Sequence, residues 1–533
     1  MSLLTVSMVA VGLITTIVYR FFHTLNNVNY IPGMRPLFAP MSLFGAAFGT
    51  RWWNPGMNWP WEWRKTAFFN HTHDIISVVP LISGGASVYT CSVDVARQLL
   101  GSEGKTQLFK PRWIVAGLLL WGDNILAASG DMWRRHRRVV APAFTSKTYD
   151  LVVSETIATY NEMIEGENWR QDGEFLVTDF NRLPRKLALI LIARCGFGLH
   201  MPWVDPPADE NGLTFGQSLT IVTDTVIPRL IIPSWLYKLP IKRLRTINQA
   251  WSGLGSFMRT FVETRKDEQR GDTGSMQRGD ILSRLVAATY ADGKLNLDEQ
   301  EVIGNVFTLT FAGHDTTAAV ISATLGFLAI HEEEQEKAYA EIMKIIPPGK
   351  NPTLDDLQKL PFLLACFHES MRIYRVTFVF LAMRCLLRNV TPAAGFAIVR
   401  ELTDDITVQV KRPAEQTVVL RRGTLVIVDM IALHHNPVIF PDPETFKPSR
   451  WAGLPEHDIS MFGFGARACI GRKFSHAEAL CFLALFLRDW KITAPISAGE
   501  SRRGYEERVM GKAGSIGLAF GVGPLSLKMA RRK

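Results

Sequence analysis

The chain has 533 residues, 47% of them apolar and 20% charged, which excludes a disordered chain, a collagen and a coiled-coil rod. The net charge of +9 suits an acidic partner or anionic lipid; with no Lys/Arg-rich tail and no Cys/His zinc spacing, nucleic acid is not an expected partner. Six cysteines are spread widely without a CxxC, which favours a reducing compartment over a disulfide framework.

In chain order, Ser2 to Tyr19 comes first, a run without a charge. At 1.5 Å per residue it spans about 27 Å, close to a thin hydrocarbon core. Arg20 follows, with Tyr19, Phe21 and Phe22 at an expected interface. A secretory signal carries its positive charge before the apolar run; here it lies after. Residues 1–22 are therefore expected to be a transmembrane anchor with the rest of the chain in the cytosol. Pro32, Pro36 and Pro40 mark residues 23–45 as a stiff linker, and residues 46–533 are expected to form one large unit.

Residues 131–140, 154–165 and 247–269 are expected helices. Pro228, Pro233 and Pro240 break residues 205–245 into short pieces, whose Ile231, Ile232, Trp235 and Leu236 suggest a membrane-touching flap. Residues 270–279 are polar and expected to be a surface loop. Residues 302–330 contain one formal charge, Asp315. Asn305, Thr308, Thr310, His314, Thr316 and Thr317 interrupt the apolar run, so a buried central helix is expected rather than a second span. Residues 406–410, 417–420 and 424–428 are expected strands, and 477–490 the last strong helix.

The chemistry concentrates in Phe462-Gly463-Phe464-Gly465-Ala466-Arg467-Ala468-Cys469-Ile470-Gly471. Glycines let the backbone approach a flat ligand. A cysteine just before a helix has its thiolate stabilised by backbone N–H groups. Arg467 can pair with a ligand carboxylate. Together these describe a haem site with an axial cysteine. Gly463, Gly465 and Ala468 also fit GxGxxA, but a dinucleotide loop needs an acidic residue at the end of a second strand. Asp489 has the spacing and lies in a helical stretch, so that assignment is discarded.

The pattern FxxGxRxCxG, filled by Phe462, Gly465, Arg467, Cys469 and Gly471, resembles the haem-binding signature of the cytochrome P450 monooxygenases. Glu369 and Arg372 match that family's ExxR, and Arg450 its later loop arginine, with Ser449 where a glutamate is usual. Ala312-Gly313-His314-Asp315-Thr316-Thr317 matches the oxygen-activation motif, and Trp133 with Arg137 its WxxxR. The resemblance implies a mainly α fold with a small β portion behind a single N-terminal transmembrane helix. It implies haem b held by the Cys469 thiolate, with Trp133 and Arg137 at one propionate and Arg384 assigned to the other. Glu369, Arg372 and Arg450 would form a structural triad. Gly313 would leave room for dioxygen, Thr316 would hold it, and Asp315 would feed protons inward.

The implied activity is insertion of one atom of O2 into a small lipophilic substrate, with a terpenoid or other secondary metabolite as the expected class. Electrons would come from NADPH through a flavoprotein reductase, with cytochrome b5 as a candidate second donor, at the endoplasmic reticulum membrane. Arg134, Arg135 and Arg138, with Arg472 and Lys473, form an expected basic docking face. The alternative is a haem-thiolate isomerase or dehydratase that uses no O2. Such relatives often lose the acid–alcohol pair, which is present here as Asp315 and Thr316.

Overall fold

The computed structural model describes residues 3–101, 108–169, 173–204, 212–270, 280–291, 293–374, 397–454, 461–511, 513–516 and 519–532. They divide into two compact units, Met1–Ile114 with Thr377–Thr445 and Glu456–Ala468, and Val115–Val376 with Phe446–Pro455 and Cys469–Lys533. The architecture is mainly helical, with small sheets in both units.

The first unit begins with the apolar helix Leu3–Asn27. Among the described residues this is the one helix long and apolar enough to cross a membrane, and its apolar stretch is exposed. Its last turns behave differently. Phe21 and Leu25 pack against the unit's own core, beside Val28, Ile31, Ile75, Val79, Val426 and Val428. Within the Pro-containing stretch that follows, Gly33–Met34 pairs in parallel with Ile75–Val78. That pairing opens a six-stranded sheet, continued by Ser87–Thr90, Leu425–Asp429, Ala397–Leu402 and Leu108–Phe109. Ile75–Val78 and Ser87–Thr90 are buried along their whole length, so their side chains need no polar alternation. The expected strands at 406–410 and 417–420 form the hairpin Ile406–Val410 and Gln416–Leu420.

The second unit is built on Glu299–Ile330, 32 residues and so about 48 Å long. Its start is fixed by a capping box. Asp298 Oδ1 accepts from the Glu301 N–H at 2.7 Å, and Glu301 Oε2 accepts from the Asp298 N–H at 3.0 Å. The helix is apolar on every side and must be surrounded. Arg182–Leu191, Pro361–Ile373 and Arg472–Asp489 pack on it. The expected helices near 131, 154 and 247 are present as Gly130–Val140, Ser146–Gly166 and Lys242–Arg270. A sheet of Trp490–Thr493, Leu527–Arg531 and Glu174–Val177 closes one flank. The Pro-broken stretch forms Phe215–Asp224, Val226–Ile231 and a short 3-10 turn at Ser234–Lys238, exposing Ile231, Trp235 and Ile241. Of the loop expected at 270–279, Arg270 ends the Lys242–Arg270 helix and 271–279 lie outside the described residues.

The dual character of the first helix generates a prediction. Deleting residues 1–19 removes exposed apolar surface only, so the thermal midpoint of the purified protein should stay within about 2 °C of the full chain. Deleting residues 1–28 also removes Phe21, Leu25 and Val28 from the core, at about 1 kcal/mol or more each, and should lower the midpoint by several degrees. Equal midpoints in a melting experiment would show that the last turns contribute nothing to the fold.

Candidate active site

From Glu301 to Ile330 the central helix is buried at every position except Ala312, Gly313 and Thr316. The opening therefore falls on the motif that the sequence singled out. Asp315, one residue from it, is fully buried. The Arg185 Nε donates to Asp315 Oδ1 at 3.1 Å, with Nη2 at 3.0 Å, and His314 Nε2 lies 3.1 Å from the same oxygen. Burial alone would raise the Asp315 carboxyl; His314 and Arg185 outweigh it and hold it below the usual carboxylate range. Arg185 comes from the Arg182–Leu191 helix and keeps part of its surface in solvent. No sequence motif pointed to it.

The Thr316 hydroxyl donates to the Ala312 carbonyl at 2.8 Å, which leaves its oxygen lone pairs as acceptors. Thr317 is buried and shares a 3.1 Å hydrogen bond with Ser475 of the cysteine helix. At Gly313 a Cβ would lie 2.9 Å from Ile192 Cγ1. The smallness of this glycine lets the π-helical turn Ile192–Gly196 press against the central helix.

Of the described cysteines, Cys91, Cys195, Cys366 and Cys481 are buried, and burial pushes each of those thiols up. Cys469 is exposed. It stands three residues before the Arg472–Asp489 helix, where the helix N-terminus favours a thiolate. Trp133 and Arg137, on Gly130–Val140, are both half-buried. Burial lowers the Arg137 guanidinium, while the Cys469 charge acts to raise it, so the two lie within electrostatic reach of each other. In the loop before Cys469, Gly463 and Gly465 take φ of 88° and 55°, which side chains other than glycine resist. Ala468 N–H donates to the Gly465 carbonyl at 3.1 Å and closes a tight turn that includes Arg467. Phe462 is half-buried, and Gly471 caps the helix that follows. An accessible thiol at a helix start, within electrostatic reach of the half-buried Arg137, fits a haem-thiolate group. Arg384 lies outside the described residues.

The ExxR helix Pro361–Ile373 holds a buried charge hub. Arg372 Nε and Nη2 donate to Glu369 at 2.9 Å each, and Arg450 Nε donates at 2.8 Å. The Trp451 indole N–H at 3.0 Å and the Lys447 backbone N–H at 3.0 Å complete it. Sequence reasoning found the three charged residues and missed Trp451, whose place beside Arg450 was its only signal. Ser449 makes its bond through the backbone, its carbonyl accepting from Ala452 N–H at 3.3 Å. Glu369→Gln should remove the charge that two buried arginines face, at about 3–5 kcal/mol. Denaturant unfolding checks this; a loss under about 1 kcal/mol would mean that the hub does not hold the fold.

The chain matches the cytochrome P450 family over residues 78–504. Cytochrome P450 monooxygenase 124 of Postia placenta is 28% identical over 95% of both chains. Cytochrome P450 monooxygenase prx9 of Penicillium rubens is 26% identical over 86% of this chain and 83% of its own. Cyclooctat-9-en-7-ol 5-monooxygenase of Streptomyces melanosporofaciens is 27% identical over 70% and 73%. The crystal structure of the cytochrome P450DA heme domain superposes with a TM-score of 0.68 at 18% identity, covering 94% of this chain and 98% of that one. With the helix opening at the oxygen motif and the exposed thiol at a helix start, these likenesses make the chain a member of the cytochrome P450 family, a mainly helical haem-thiolate monooxygenase with an N-terminal apolar helix.

Proposed function

We propose that this monooxygenase inserts one atom of O2 into a small lipophilic substrate, a terpenoid or another secondary metabolite, with Cys469 as the axial ligand of haem b. The observation that carries this reading is the opening at Ala312, Gly313 and Thr316 on a helix otherwise buried from Glu301 to Ile330. The bound haem supplies reductive activation of dioxygen. The chain's own residues do the rest. Trp133 and Arg137 orient the group through one propionate, and Arg384 is assigned to the other. Phe462, Gly465, Arg467 and Gly471 form the loop around the thiolate.

Protons reach the opening through Asp315. Its carboxylate is sealed from water, and its partner Arg185 keeps one side in solvent. Asp315 takes a proton from water when its carboxyl turns to the wet side of Arg185 and gives that proton up on the Thr316 side, returning to the carboxylate. Thr316 exchanges its bond to Ala312 for one to the reacting molecule. The Streptomyces relative, named for cyclooctat-9-en-7-ol, supports a lipophilic substrate.

The proposed organisation is an anchor at residues 1–22 and a catalytic domain at 46–533 on the cytosolic face of the endoplasmic reticulum membrane, with the linker at 23–45 packed on that domain through Leu25, Val28, Ile31 and the Gly33–Met34 strand. The apolar first helix supports it, as do the exposed Ile231, Trp235 and Ile241. Electrons are proposed to come from NADPH through a flavoprotein reductase, with cytochrome b5 as a second donor. The basic docking face is narrower than the sequence suggested. Arg135 turns inward to Glu301 and the Asn296 carbonyl, and Arg134 pairs with Asp131. Exposed Arg138 and Lys473 remain, with half-buried Arg472.

Two measurements test this reading. Cys469→Ala should abolish the long-wavelength Soret band of the reduced carbon monoxide complex; an unchanged spectrum excludes the ligand. The wild-type Asp315 stays ionised through neutral pH, and the stability it gives by being held low is lost only as pH falls through its depressed value. Arg185→Ala removes one of the groups that oppose burial, so the carboxyl rises and the acid limb of the rate profile should move to higher pH. Product per NADPH should fall several-fold. A rate profile identical to wild type would remove Asp315 from proton delivery.

A further inference from the structure

Asn305 is fully buried, three turns before Thr316 on the same helix. Asn305, Leu309, Ala312 and Thr316 follow the spacing of one helix face, over about 16 Å. The amide uses both its ends. Oδ1 accepts from the Ile125 backbone N–H at 2.9 Å. Nδ2 donates to the Glu301 carbonyl at 2.7 Å and meets His136 Nδ1 at 2.8 Å. His136 is itself fully buried, and burial and Arg135 lower it to about 4, so the neutral ring accepts at Nδ1. Its other nitrogen faces Glu301 at 3.5 Å.

Three elements therefore meet on one side chain: the central helix, the loop containing Ile125, and the helix that carries Trp133 and Arg137. The loop lies directly on the helix backbone. A Cβ on Gly304 would fall 2.7 Å from the Gly122 carbonyl oxygen and 2.8 Å from that of Asp123. A Cβ on Gly122, whose φ is 119°, would fall 2.3 Å from the Gln300 oxygen. Gln300 Nε2 donates to the Trp121 carbonyl at 2.6 Å, and the Trp121 ring stacks on Trp251 at 5.5 Å and 3°. The loop also holds its own shape. Asn124 Nδ2 donates to the Leu118 and Gly122 carbonyls, and its Oδ1 accepts from the N–H groups of Leu126 and Ala127.

We propose that Asn305 is a positioning residue: its amide fixes the 121–128 loop and the Arg137 helix against the face that carries Ala312 and Thr316. It thereby sets the wall along which a substrate lies. This rests on the monooxygenase reading of that face. The loop is a fixed wall under this proposal, and discrimination between substrates by length or width is set where it meets the helix.

The test uses the full-length holoprotein with two probes, imidazole and 1-phenylimidazole, whose binding is read from the Soret shift. Imidazole needs only the haem, while the phenyl group needs the wall. Asn305→Leu keeps the side chain's approximate size and removes every hydrogen bond. It should loosen 1-phenylimidazole about tenfold and leave imidazole within about twofold. Hydrogen exchange of the Ile125 amide should accelerate about tenfold or more, with the Arg472–Asp489 helix unchanged. Asn305→Asp keeps an acceptor for Ile125 and loses both donations, so it should restore most of the exchange protection; it also keeps the test open if the leucine variant does not fold. Equal loosening of both probes, or unchanged affinity with faster exchange, overturns the proposal. A wild-type chain that shows no Soret shift with imidazole fails the haem reading instead, which separates the two.

Discussion

A helix that is apolar all round has no face to give to water, and a polar group on it that finds no partner inside the protein costs free energy. This constraint organises the second unit. Thr310 and Thr324 satisfy themselves on their own helix, donating to the Val306 and Val320 carbonyls. Asn305, Asp315 and Thr317 reach outward instead, to the 121–128 loop, to Arg185 and to Ser475. Each outward reach fixes a neighbour: the loop before the Arg137 helix, the Arg182–Leu191 helix and the cysteine helix. The polar interruptions that argued against a membrane span are thus the points from which the site is assembled.

Two buried carboxylates show how partners separate structure from chemistry. Glu369 is enclosed by guanidinium, indole and backbone donors, and the side chains of Arg372 and Arg450 that face it are almost wholly covered. Its charge is locked, and its value lies in specifying one arrangement of the Pro361–Ile373 helix and the 447–451 turn. Asp315 has His314 and Arg185 among its partners, and that guanidinium is partly wet. Burial is similar at the two sites; the exposure of the charged partners differs.

Much of the site was legible because its chemistry is local in sequence. The cysteine loop, the ExxR pair and the acid–alcohol pair each sit within a few residues, so spacing alone carries their geometry. What spacing does not carry is partnership across the fold. Arg185 lies 130 positions from Asp315, and Ile125 lies 180 positions from Asn305. Neither contact leaves a periodic signal. The contact of Ile192 with Gly313 is of the same kind: a glycine announces a missing side chain, and only the fold tells which neighbour lies against it. Arg135 sits among basic residues and turns inward to a glutamate that is distant in sequence. The long central helix and the hairpin at Ile406–Val410 and Gln416–Leu420 were readable because apolar runs and turn residues are local signals.

The packing of Phe21 and Leu25 into the first unit has a mechanical consequence. An anchor joined through a floppy tether would let the protein swing freely above the bilayer. Here the same continuous helix is apolar and long enough to cross a membrane at one end and is core at the other, so in a bilayer its tilt would be imposed on the first unit. A hydrophobic stretch answers a thicker or thinner bilayer by changing its tilt. Lipid composition would then act on the orientation of the first unit as a lever acts on its load, without any lipid touching the chemistry.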